Sequence, residues 1–101
     1  MNISDIFQRI LLKPEWFLST KSVIRLGVYV QGYIAALNDT NQPYDINEFD
    51  RFCKWVPVSL GINKSLNWSD IIYFMSGHDD ERSIELTKEL WAEFKASGER
   101  S

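Results

Sequence analysis

An all-α domain is the fold class this sequence predicts, on three observations. Apolar residues recur at three- and four-residue spacing in successive segments, which is the period of a helix buried along one side. Pro, Gly and clusters of Asn, Asp and Ser separate those segments, where the chain must change direction. At 101 residues the chain supports one hydrophobic core, so the expectation is a compact single-domain bundle of about five helices spanning residues 1–101.

Asn2 or the Ser4-Asp5 pair caps a first short helix, in which Ile6, Phe7, Ile10 and Leu11 share a face until Pro14 stops it. Lys13-Pro14-Glu15-Trp16-Phe17-Leu18 then reads as a loop strapped by its aromatic rings onto the next helix. That helix runs roughly from Lys21 to Asn38, capped by Ser19 or Thr20, and its apolar residues from Val23 to Leu37 cover most of its circumference. Val28 to Val30 alone would also suit a buried strand, but the length of the pattern favours helix. Gly27 and Gly32 weaken it intrinsically, so close approach by another element is expected there.

A polar turn from Asn38 to Pro43 leads to Asp45-Ile46-Asn47-Glu48, a capping-box pattern opening a third helix with Phe49, Phe52, Cys53 and Val56 on its apolar side. Pro57 should end that helix near Trp55 or bend it. Ser65 or Asn67 caps a fourth helix bearing Trp68, Ile71, Ile72 and Met75, with Gly77 as its left-handed terminator. The last helix opens on Asp79-Asp80-Glu81, whose carboxylates suit the positive end of the dipole, and runs to about Ala96. The expected core contains Trp16, Phe17, Tyr33, Phe52, Trp68, Ile72 and Trp91.

Hydrophobic residues at 45% and charged residues at 25% belong to an ordinary globular chain, not to a disordered one. The single cysteine, Cys53, rules out an intramolecular disulfide or a multi-cysteine zinc site and fits a reducing compartment. The N-terminus lacks a secretory pattern and no apolar run reaches membrane-span length, so a cytoplasmic protein with no membrane partner is expected. The formal net charge of −3 disfavours nucleic acid as a ligand, because a phosphate backbone demands clustered Lys and Arg. A basic protein partner is more compatible.

His78 beside Asp79, Asp80 and Glu81 is the one local cluster that suggests metal or acid–base chemistry. With no second histidine, an acidic helix cap is the simpler reading, and neither a metal nor a cofactor is expected. A Cys53–His78 nucleophile pair would need the thiol off the apolar stripe, where a small buried thiol is the usual outcome. Phosphate-cradling glycine loops and dinucleotide fingerprints are absent. No catalytic residue is therefore assigned, and no enzyme is expected.

Two acidic surfaces remain as candidate partner sites. Asp39, Asp45, Glu48 and Asp50 have no basic residue among them, and the final helix carries Glu81, Glu85 and Glu89 at four-residue spacing on one face. Either set could simply be a solvated face. As a docking surface, the Asp39 to Asp50 group is preferred because it adjoins a polar loop, and recognition residues are commonly presented on loops held by a rigid scaffold.

With these residues placed, the chain resembles the small helical immunity proteins that accompany bacterial polymorphic and contact-dependent growth inhibition toxins. The likeness runs from about Lys13 to Phe94. It rests on Pro14-Glu15-Trp16-Phe17-Leu18, on Ser22 to Leu26 opening a helix that carries Gly32-Tyr33 and Ala36, on Phe49-Asp50-Arg51-Phe52, on Trp68-Ser69-Asp70-Ile71-Ile72, and on Trp91-Ala92-Glu93-Phe94. The resemblance implies a non-catalytic inhibitor that binds and blocks one cognate toxin domain, a basic one if the toxin is a nuclease. The alternative is a helical adaptor or regulatory module with some other protein partner.

Overall fold

Asn2 begins the first turn: its backbone is extended and its side-chain oxygen accepts the Ser4 N–H at 3.0 Å, which starts α1 at Ile3–Leu12. The structure, a computed structural model, describes residues 1–62 and 66–98. Five further helices follow: α2 at Pro14–Phe17, α3 at Val23–Asp39, α4 at Asn47–Ser59, α5 at Trp68–Met75 and α6 at Asp80–Gly98. Among the described residues there is no strand, and the domain is all-α as expected. A lone parallel bridge joins Asn2 to Asp45, where the Ile3 N–H donates to the Asp45 carbonyl at 2.9 Å and ties the N-terminus to the segment before α4.

Most caps follow the sequence. Asn67 accepts the Ser69 N–H at 2.9 Å to open α5, whereas the alternative cap Ser65 lies outside the described residues. Gly77 takes φ +74 and closes α5, with the His78 N–H reaching back to the Tyr73 carbonyl at 2.9 Å. Asp79 accepts the Arg82 N–H at 2.9 Å at the start of α6. For α3 the cap is Ser22, whose hydroxyl accepts the Ile24 N–H at 3.2 Å, so the helix begins later than Ser19 or Thr20 would place it.

Three expectations are corrected. The Pro14 to Leu18 segment is a one-turn helix, not a loop, because Pro14 stands at its first position, where a missing N–H costs nothing. The third predicted helix, α4, passes through Pro57 to Ser59. Pro57 lies in its last turn, so one intrahelical bond is lost, and the end closes through the Leu60 N–H to the Val56 carbonyl at 3.1 Å and the Ile62 N–H to the Pro57 carbonyl at 2.8 Å. Trp16 is not core: it is 74% exposed, because α2 turns Pro14 inward and Trp16 outward, with the Lys13 ammonium 5.5 Å above its ring. Phe17 and Tyr33 are only partly buried, while Phe52, Trp68, Ile72 and Trp91 are buried as expected.

Phe7 stands at the middle of the core. Its ring lies 5.1 Å from Phe49, 5.5 Å from Phe52, 5.8 Å from Trp68 and 5.0 Å from Trp91, with tilted or edge-to-face angles that aromatic quadrupoles favour. Four helices are thus fastened at one point. Fully buried Ile3, Ile10, Val23, Leu26, Val30, Val56 and Ile72 fill the space around it. Gly27 lets α5 approach: a Cβ there would sit 3.3 Å from the Ser69 hydroxyl oxygen, which meets the expectation at this glycine, while Gly32 faces open space and has no such role. Two polar groups cross the core satisfied, since Ser83 donates to the Asp80 carbonyl at 2.6 Å and accepts the Val23 N–H at 3.0 Å, and Thr87 donates to the Ser83 carbonyl at 2.6 Å.

Candidate functional site

Helix α6 is the longest element, and its sequence divides it lengthwise. Ile84, Leu90, Trp91 and Phe94 are buried against the core and hold the helix rigidly in place. Glu81, Glu85 and Glu89 lie on the opposite side and are all exposed. At 1.5 Å rise per residue they form a ladder about 12 Å long, and among the described residues none of them takes part in an ion pair. Glu81 and Glu85 also rim a shallow hollow of about 250 Å³ against Pro14, Glu15 and Lys21 at the α1–α2 corner. The fields of these carboxylates add at the surface.

The preferred group from the sequence is differently placed. Asp39 is the last residue of α3 and is exposed. Asp45 accepts the Asn47 N–H at 2.9 Å, so its carboxylate supports the start of α4. Glu48 pairs with Lys95 of α6 at 2.8 Å, and Asp50 pairs with Lys54 one turn on at 2.9 Å. The Lys95 ammonium holds the Glu48 carboxyl below its ordinary value of 4.5. Three of these four carboxylates therefore have partners within the fold, and they do not converge with the α6 ladder, whose members have none among the described residues.

His78 is exposed and sits edge-on to Tyr73 at 5.2 Å and Phe74 at 5.7 Å. It borders a hollow with Asp70, Tyr73 and Phe74, whereas Cys53 borders a different one with Lys54, Pro57 and Trp68. Burial, with a smaller contribution from Asp50, pushes the Cys53 thiol up to about 12, so it remains protonated at neutral pH. Among the described residues no three His, Cys, Asp or Glu side chains are grouped to hold a metal ion, and no helix is long and apolar enough to cross a membrane.

Sequence reasoning missed the exposed apolar residues Leu12 and Trp16. Leu12 is 70% exposed, and its neighbours one turn away, Gln8 and Glu15, are polar, which is a signal that it lies off the buried stripe. Trp16 carries no comparable signal, because its direction depends on how α2 is seated. No protein-family model matches the chain, and neither a curated protein nor a solved structure shows significant similarity to it.

Proposed function

We propose that this chain is a toxin-neutralising immunity protein: a non-catalytic, cytoplasmic helical domain that binds one basic toxin domain and blocks it. The observation that carries this reading is the exposed ladder of Glu81, Glu85 and Glu89 on a helix whose other side is anchored in the core. A nuclease holds phosphates on a basic surface, and a rigid row of carboxylates is complementary to such a surface. Complementary charge speeds encounter and rejects wrong partners, and rigidity limits the entropy lost on binding. The α6 face is favoured over Asp39, Asp45, Glu48 and Asp50 because three of those side chains already have partners within the fold.

The exposed side chain of Leu12, which borders the same hollow as Glu81 and Glu85, favours, as a second reading, a helical adaptor that grips its partner mainly through apolar contact. Searching the reading frames beside this chain's gene for a toxin domain, and co-producing the chain with any such domain found, separates the two. An immunity protein restores growth and forms a stable complex with that domain. Unrelieved toxicity, with no complex at micromolar concentrations, refutes the immunity reading and leaves the adaptor.

A further inference from the structure

We draw no further inference here: the strongest candidate, the hollow beside Tyr73, Phe74 and His78 at the C-terminal end of α5, is an apolar, unpartnered face whose rim carries both Asp70 and His78, and nothing in the structure shows what covers it.

Discussion

Replacing Phe7 with Ala removes the ring on which the aromatic cluster converges. The side chain is fully buried, and the four rings around it lie at 5.0 to 5.8 Å, so little freedom remains for neighbours to close the void. Truncating a buried Phe costs about 3–5 kcal/mol through lost transfer energy and the residual cavity, and loss of edge-to-face pairs at about 0.5–1.5 kcal/mol each places this site toward the upper end. A chain of this length has a total stability of roughly 5–15 kcal/mol, so the variant should keep only a fraction of it. At about 4–8 °C per kcal/mol, the melting midpoint should fall by at least ~12 °C. Trp16→Ala is the control: the same chemistry at a 74% exposed site should change stability by no more than about 0.5 kcal/mol. Urea and thermal unfolding followed by circular dichroism measure both. Comparable losses at the two positions, or a Phe7→Ala loss below about 1.5 kcal/mol, would refute the placement of the core.

Glu48→Gln should lower stability at neutral pH by up to about 1 kcal/mol, the range of a partly exposed ion pair. Because the Glu48 carboxyl is held below its ordinary 4.5 by Lys95, the stabilisation is present above that pH and is lost as pH falls through the lowered value. Parent and variant should therefore converge in acid, and a difference that widens below pH 4.5 would contradict the pairing. Cys53, with its thiol pushed up to about 12, should react with a thiol-modifying reagent at pH 8 far more slowly in the folded protein than in urea. Equal rates in the two states would mean that the thiol is open and ionisable.

What the sequence disclosed and what it hid divide by range. Asn2, Asn67, Asp79 and Gly77 act on backbone groups within a few residues, so their roles follow from local pattern. Phe52, Trp68 and Trp91 sit on clear apolar stripes and were correctly assigned to the core. Trp16 was not, because a single helical turn after a proline gives no periodicity from which to tell its inner from its outer side. The carboxylates show the same limit. Glu48 looks free in sequence, yet its partner Lys95 stands 47 residues away and meets it only once α4 and α6 pack together. Glu81, Glu85 and Glu89 share a face by spacing alone, but their standing as exposed carboxylates outside any ion pair among the described residues emerges only in three dimensions.

Binding through the α6 carboxylate ladder is most directly tested by association kinetics with a toxin domain that the chain neutralises on co-production, measured at low and high salt. For the triple variant Glu81→Lys, Glu85→Lys, Glu89→Lys, association should be at least about tenfold slower at low salt than for the parent, with a flattened salt dependence. Asp39→Lys with Asp45→Lys, on the other acidic surface, should change the association rate much less. An unchanged rate in the triple variant, or a larger loss in the Asp39 and Asp45 pair, would contradict α6 as the binding face.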